Sequence, residues 1–294
     1  MPRSEAKRHP LDQSQFFAIQ SRAKLAGLFG LTRATLDEVL DMERPYSTRS
    51  FEQNRNGKIK VRIIQEPRGL LRPIHIVVRK ALSRIEPPDF LFCPVKRRSY
   101  VTNAAQHIAA KEVRTLDIHA YFPSTPRQRV YWFFHTVMRC SADVASILAQ
   151  LLTADGHLAT GSTVSPILSF FAFYDMWHAI AQIAKEAGCV LTVYMDDITI
   201  SGEHVPDRVM WEIKKRIDRC QLEYHKERRY RAGVGEVTGS LLKNGQLLVP
   251  NRQLKKAYET RKALSAAADP DELRRLAAVL RGLDQQRKQV EGLR

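Results

Sequence analysis

The sequence predicts an α+β protein. Strand-like and helix-like segments are interleaved without the regular βαβ spacing of a doubly wound sheet. The run VLTVYMDDITISG, Val190 to Gly202, joins two strongly β-forming stretches at the paired acids Asp196 and Asp197. Leu241 to Val249 carries Asn244-Gly245, the preferred pair for a type I′ hairpin turn. No internal repeat or low-complexity segment interrupts the pattern.

From Leu11 to about Met42 the pattern is helical, with Thr32 the cap of a short helix carrying Leu36, Val39 and Leu40. Gly57 to Ile64 alternates apolar and basic residues, predicting a strand with one apolar and one cationic face that ends at Pro67. An apolar stretch from Pro73 to Ile85 reads as helix. Asn103, with Gln106 three positions on, is expected to cap the next helix, and Val113 to Ile118 is a strand. Ser124 or Thr125 before Pro126 opens a helix rich in Val130, Trp132, Phe133 and Phe134, and a second runs from Ala142 to Leu152. Asp155-Gly156 turns the chain. After a Gly161-Ser162-Thr163 loop, Pro166 begins a long core helix that stops at Gly188 and feeds the acidic hairpin. A basic amphipathic helix spans roughly Pro206 to Cys220. Beyond Pro250 two basic helices follow, one capped by Asn251 and one opened by Asp269-Pro270-Asp271-Glu272.

A chain of 294 residues can bury a sizeable core. Its formal charge of +16 and pI near 9.9 are spread along the sequence, which suits a nucleic acid partner. Cys93, Cys140, Cys189 and Cys220 are too scattered for a disulfide framework or a zinc site, and a reducing cytoplasm fits. The segment MPRSEAKRHP has no apolar stretch behind it and is not expected to be a secretory signal. The longest apolar run, Ile167 to Ala184, is broken by Asp175, His178 and Gln182, so a buried helix is expected and no membrane partner.

Paired acids are an odd choice for a two-residue turn, which normally wants Asn-Gly or Asp-Gly for positive φ. Mg²⁺ takes oxygen ligands and is held by one or two carboxylates together with substrate phosphates, so the pair suits a metal bound with a nucleotide. A solvated loop is the alternative for the tetrapeptide taken alone. Asp117 ends the strand Val113 to Ile118, and neighbouring strands would bring it against the hairpin. Three carboxylates would then surround two ions roughly 3.5–4 Å apart, the plan by which polymerases activate an attacking hydroxyl and steady the leaving pyrophosphate.

Asp117-Ile118-His119-Ala120-Tyr121-Phe122 and Tyr194-Met195-Asp196-Asp197 resemble, in order and separation, the two metal-binding motifs of reverse transcriptases. Asn103-Ala104-Ala105-Gln106-His107 resembles the NAxxH motif and Val237-Thr238-Gly239 the VTG motif of retron reverse transcriptases; the resemblance runs from about Tyr46 to Leu283. It implies a right-hand polymerase fold with fingers, palm and thumb. The corresponding boundaries are a helical lead-in at 1–45, fingers at 46–110, the first catalytic palm strand at 111–125, fingers/palm helices at 126–157, the palm core helix and hairpin at 158–235, and a small helical thumb or RNA-binding region at 236–294.

The resemblance implies an RNA-directed DNA polymerase that uses Mg²⁺ and deoxynucleotides. Such an enzyme copies a structured noncoding RNA, which is both template and primer, into branched RNA-linked DNA, and is implied to act in antiphage defence with an effector or toxin protein. By that resemblance Asp117, Asp196 and Asp197 are the catalytic metal ligands, with the Ile118 carbonyl an additional one. Tyr121 matches the aromatic steric gate against a 2′-hydroxyl; core packing is its alternative. Arg62 matches the fingers arginine on the triphosphate, with Lys58 assisting, and Lys226 the downstream lysine near the triphosphate. Asn103, His107, Val237, Thr238 and Gly239 are implied to lie at the RNA, whereas their bland readings are a helix cap, a satisfied core histidine and a turn.

The chain departs from the family at one place. Where LPQGxPxSP is usual it reads Leu158-Ala159-Thr160-Gly161-Ser162-Thr163-Val164-Ser165-Pro166, so Thr160 replaces the glutamine beside Gly161 near the nucleotide. Two other readings stand beside the retron type: a reverse transcriptase of another bacterial lineage, such as an intron or abortive-infection type, and a catalytically silent RNA-binding scaffold.

Overall fold

The computed structural model describes residues 7–55 and 58–292, apart from the side chains of Asn54, Arg55, Lys58 and Lys60. In chain order the first elements are α1 (Arg22–Phe29), α2 (Arg33–Leu40), β1 (Tyr46–Arg55), β2 (Lys58–Pro67), α3 (Leu71–Leu82), β3 (Leu91–Cys93), α4 (Tyr100–Ala105) and β4 (Glu112–Ile118). Next come α5 (Arg127–Trp132), α6 (Ala142–Leu151), β5 (Thr153–Ala154), β6 (His157–Leu158), α7 (Ser165–Ala172), α8 (Tyr174–Glu186), β7 (Val190–Tyr194) and β8 (Asp197–Gly202). The last are α9 (Asp207–Arg219), β9 (Tyr224–Tyr230), β10 (Val234–Val237), β11 (Ser240–Lys243), β12 (Gln246–Leu248), α10 (Asn251–Ala266) and α11 (Pro270–Glu291). The α+β class is borne out, and among the described residues no single helix is long and apolar enough to cross a membrane.

The chain divides into two compact units, Met1–Pro88 with His119–Ala179 and Arg216–Glu223, and Asp89–Ile118 with Ile180–Lys215 and Tyr224–Arg294. In the first, β1 and β2 form a long antiparallel hairpin in continuous register from Tyr46↔Pro67 to Arg55↔Lys58. The alternation expected in β2 is present, yet its apolar residues Ile59, Val61 and Ile63 are exposed. Its partner β1 was not expected, because Tyr46 to Arg55 is largely polar, with Tyr46 and Phe51 its only aromatic residues, and lacks a period-2 pattern. An aromatic core lies elsewhere in this unit, with Phe133 and Phe171 stacked at 4.9 Å and Phe134, Phe173 and Trp177 fully buried. The single core helix expected from Pro166 to Gly188 is two helices, broken at Phe173, whose ψ of 35° leaves the helical range.

The second unit is built on a five-stranded sheet of order β3-β7-β8-β4-β9, antiparallel except for the β3–β7 pair. Beside it β10, β11 and β12 form a meander. Its turns, Thr238-Gly239 and Asn244-Gly245, have positive φ at both central residues (44° and 82°, 50° and 72°), the type I′ requirement that Asn-Gly advertises in sequence and Thr-Gly does not. Val101, Ala104, Val113, Val237, Leu242, Leu247 and Val290 make a shared apolar core under α4, β4, the meander and α11.

The helix expected to start at Asn103 begins earlier. Ser99 caps α4, its hydroxyl accepting from the Thr102 N–H while Thr102 closes the reciprocal bond, an arrangement that stabilises a helix start by about 1 kcal/mol. Asn103 therefore sits inside the helix, 1% exposed.

Candidate active site

Strand register brings the acids together. On β4, Asp117 lies directly opposite Asp197, the first residue of β8, and Tyr194↔Asp197 closes the β7–β8 hairpin. Met195-Asp196 is thus the tip, and Met195 carries the positive φ, at 63°, that such a turn requires. Holding a non-glycine residue there costs about 1–3 kcal/mol, strain of the kind that collects at functional sites. The tip is fastened to the sheet by the Ile118 N–H, which donates to the Asp196 carbonyl at 3.0 Å. All three carboxylates and Ile118 therefore belong to one corner of a single sheet.

The corner is electrostatically crowded. Burial, then the charges of Asp196 and Asp117, push the Asp197 carboxyl up to about 7, and a hydrogen bond shared with Asp117 favours its protonated form. A raised carboxyl pKa costs the folded state nothing while both states are protonated, below about pH 4. The penalty grows as pH rises and is complete above about pH 7. Asp197→Asn is accordingly expected to raise the thermal midpoint of the metal-free protein at pH 8, with the gain fading as the pH falls toward 4. A gain that does not depend on pH would refute this account.

On the other side of Asp117, β9 supplies His225 and Lys226. His225 is the register partner of Asp117, and its Nε2 lies 2.9 Å from Oδ1. Lys226 Nζ donates to both Asp117 oxygens at 3.2 Å. Adjacent strand residues normally point to opposite faces, so one carboxylate should not receive both. A β-bulge permits it. Between the pairs Asp117↔His225 and Thr115↔Arg228, Lys226 and Glu227 together face Leu116, and Lys226 takes a φ of 56°. On the bulge's other residue, Glu227 is gripped by the Arg114 guanidinium at 2.6 Å and by Lys214 at 2.5 Å. Arg114 also pairs with Asp207, and the buried Glu112 pairs with Arg229 and, at 2.7 Å, with His204. Neither His225 nor this ion-pair network was visible in the sequence, because each depends on cross-strand register.

Three carboxylates are the hard oxygen donors that suit Mg²⁺, and their mutual repulsion, expressed at Asp197, is what a bound cation would relieve. Among the described residues, however, no group of three or more His, Cys, Asp or Glu stands as a ready-made cage. Asp117, with 18% side-chain exposure, has its oxygens turned to Lys226 and His225.

The remaining expected nucleotide contacts lie in the first unit. Arg62 is exposed on β2, its Nε donating to Gln53 at 2.9 Å, and the Lys58 side chain lies outside the described residues. The altered loop runs along β2. Thr160 Oγ1 donates to the Ile63 carbonyl at 2.6 Å and the Gly161 N–H to the Gln65 carbonyl at 3.0 Å. A Cβ on Gly161 would stand 2.6 Å from both Ile64 Cγ2 and Glu66 Cγ, so only glycine allows this approach. Ser162 is tied to buried His75 at 2.5 Å and Ser165 to the Ala159 carbonyl at 2.7 Å. The loop geometry is thus held by hydroxyls in place of the two missing prolines.

Tyr121 takes the packing role. It is 4% exposed, its hydroxyl donates to the Ser169 carbonyl at 2.8 Å and accepts from the Trp177 indole at 3.0 Å, and its ring stacks on Phe173. A ring so enclosed presents no face to a sugar. Phe122, whose ring centre is 6.2 Å away, is half-buried.

The NAxxH and VTG residues meet. Asn103 Nδ2 donates to Thr238 Oγ1 at 3.3 Å, and Thr238 donates to the Tyr100 carbonyl at 2.8 Å. His107 is fully buried, its ring nitrogens 2.6 Å from Ser201 Oγ and 2.8 Å from Thr192 Oγ1 on β8 and β7, and burial pushes its pKa down to about 3. Asn103, His107 and Val237 are thus buried among protein groups, whereas Thr238 and Gly239 are half-exposed.

No protein-family model matches the chain. It is 28% identical over 187 residues to the Retron Se72 reverse transcriptase of Salmonella heidelberg (strain 579083-10), covering 63% of this chain and 49% of the relative. It is 26% identical over 145 residues to the Retron Ec86 reverse transcriptase of Escherichia coli (49% and 45%), and 26% over 222 residues to the Retron Mx65 reverse transcriptase of Myxococcus xanthus (67% and 51%). The matched regions span about half the length of these relatives. These matches bear out the resemblance read from the motifs: the chain is similar to retron reverse transcriptases.

Proposed function

We propose that the protein is an RNA-directed DNA polymerase of retron type. The observation that carries this reading is the convergence of Asp117, Asp196 and Asp197 at one sheet corner, in a chain whose relatives are named retron reverse transcriptases. On this reading the sheet of the second unit is the palm, the β1–β2 hairpin belongs to the fingers, and α10 and α11 form the thumb.

Asp117, Asp196 and Asp197, with the Ile118 carbonyl, would hold two Mg²⁺ ions, which when bound supply Lewis-acid activation of the attacking hydroxyl and charge neutralisation at the phosphates. The chain's own groups do the rest. Met195 strain and the Ile118–Asp196 bond fix the hairpin tip, so the carboxylates need not reorganise as charge develops. Arg62 grips phosphate oxygens through its forked guanidinium, with Lys58 assisting, and Lys226 is the downstream lysine of the triphosphate. Thr160 and Gly161 brace the strand that carries Arg62. Phe122 gates the sugar, backed by Tyr121. Asn103 and His107 position the Thr238-Gly239 turn and the catalytic hairpin, and the turn meets the RNA.

The partners in this reading are a structured noncoding RNA, deoxynucleotides, the branched DNA product and, through the retron resemblance alone, an effector protein in antiphage defence. The test is copying of a structured RNA by the full chain with deoxynucleotides and Mg²⁺, read as DNA that resists RNase and is abolished by chelation. RNA binding without incorporation would overturn the polymerase reading in favour of a silent scaffold.

A further inference from the structure

We propose that Lys226 is a built-in counter-ion for Asp117, a cationic latch that occupies the acid until a divalent ion displaces it. The inference rests on the metal-binding reading above and adds what governs entry to the site. Lys226 Nζ bonds both Asp117 oxygens at 3.2 Å, and His225 Nε2 takes Oδ1 at 2.9 Å, so both oxygens of this carboxylate are engaged.

The latch is steered by the fold. A regular β9 would send Lys226 to the face away from His225. The bulge and the 56° φ bring it round, at the cost of a strained lysine backbone. Glu227, held by Arg114 and Lys214, pins the bulge from its neighbouring residue. The lysine side chain itself is 57% exposed and ends on a flexible stem, so releasing it needs no unpacking. Freed from Asp117, the ammonium becomes available to an incoming phosphate, and the carboxylate to the cation.

Two cations competing for one carboxylate are linked, so whatever weakens the lysine contact must tighten the metal. Mg²⁺ is titrated into the full chain without nucleotide or RNA, and the thermal midpoint and bound Mn²⁺ in a parallel competition by electron paramagnetic resonance are followed. Lys226→Gln is expected to lower the metal-free midpoint and to reduce the half-saturating Mg²⁺ concentration about two- to fivefold, the scale of a partly exposed ion pair. Lys226→Arg, which keeps the charge, should stay near wild type. In an Asp117→Asn background the lysine substitution should have no further effect on Mg²⁺ affinity.

Equal or weaker Mg²⁺ binding by Lys226→Gln, beside a clear response of the wild type, would overturn the latch and leave the metal site standing. An absence of any Mg²⁺-dependent shift or Mn²⁺ binding in the wild type would overturn both. A lysine that merely stabilises the strand would lower the midpoint without moving the metal affinity, and that result also counts against the proposal.

Discussion

Asp196→Asn is expected to lower RNA-templated deoxynucleotide incorporation by about 10³-fold or more while leaving RNA affinity and fold intact. The substitution is nearly isosteric. The contact by which residue 196 fastens the hairpin tip is its backbone carbonyl, reached by the Ile118 N–H, and asparagine keeps that carbonyl. What is lost is one negative charge at a corner where three converge. Asp197→Asn should cost activity on the same scale, yet it removes the carboxyl that burial and then the other two acids push up to about 7. Its metal-free protein should therefore be more stable than wild type above neutral pH. Activity and stability moving in opposite directions is the signature of groups held together for function at the expense of the fold. Single-turnover incorporation on a primed RNA, beside thermal unfolding at pH 5 and pH 8, measures both. Retention of more than about a tenth of wild-type activity by Asp196→Asn would sink the catalytic assignment.

Much of this corner was legible in the sequence because it is written in local signals. The acidic hairpin, the strand ending at Asp117, the Asn-Gly and Asp-Gly turns and the capped final helix each depend on a few adjacent residues, and each is found. What escaped depends on register or on competition between nearby signals. β1 and β9 are polar strands whose pairing comes from β2 and β4, not from their own alternation. Asn103 looked like a cap because Asn followed by Gln three residues on is a good capping pattern, but Ser99 with Thr102 offers the same chemistry four residues earlier and leaves Asn103 to bond Thr238. The His225 and Lys226 contacts require a bulge that no spacing rule reveals. Which of two neighbouring aromatic rings lies inside was likewise beyond the sequence, since Tyr121 and Phe122 are equally compatible with a strand-to-turn junction.

That last distinction predicts a separation of effects. Tyr121→Ala should destabilise the protein by about 3–5 kcal/mol, the range for emptying a buried aromatic site, because the ring is packed against Phe173 and Trp177. It also strands the Trp177 indole, whose N–H donates to the Tyr121 hydroxyl at 3.0 Å inside a fully buried site. Tyr121→Phe isolates this second contribution: the ring stays and the acceptor goes, costing about 1–3 kcal/mol for an unsatisfied buried donor. Neither substitution is expected to change the preference for deoxynucleotides in protein that remains folded. Phe122→Ala should do the reverse, costing less stability because its ring is only half-buried, and raising ribonucleotide use about tenfold or more by opening space beneath the sugar. Chemical denaturation gives the first set of numbers and incorporation of matched ribo- and deoxynucleotides the second. A Tyr121→Val protein that stays within about 1 kcal/mol of wild type and accepts ribonucleotides would return the gate to Tyr121 and remove it from the core.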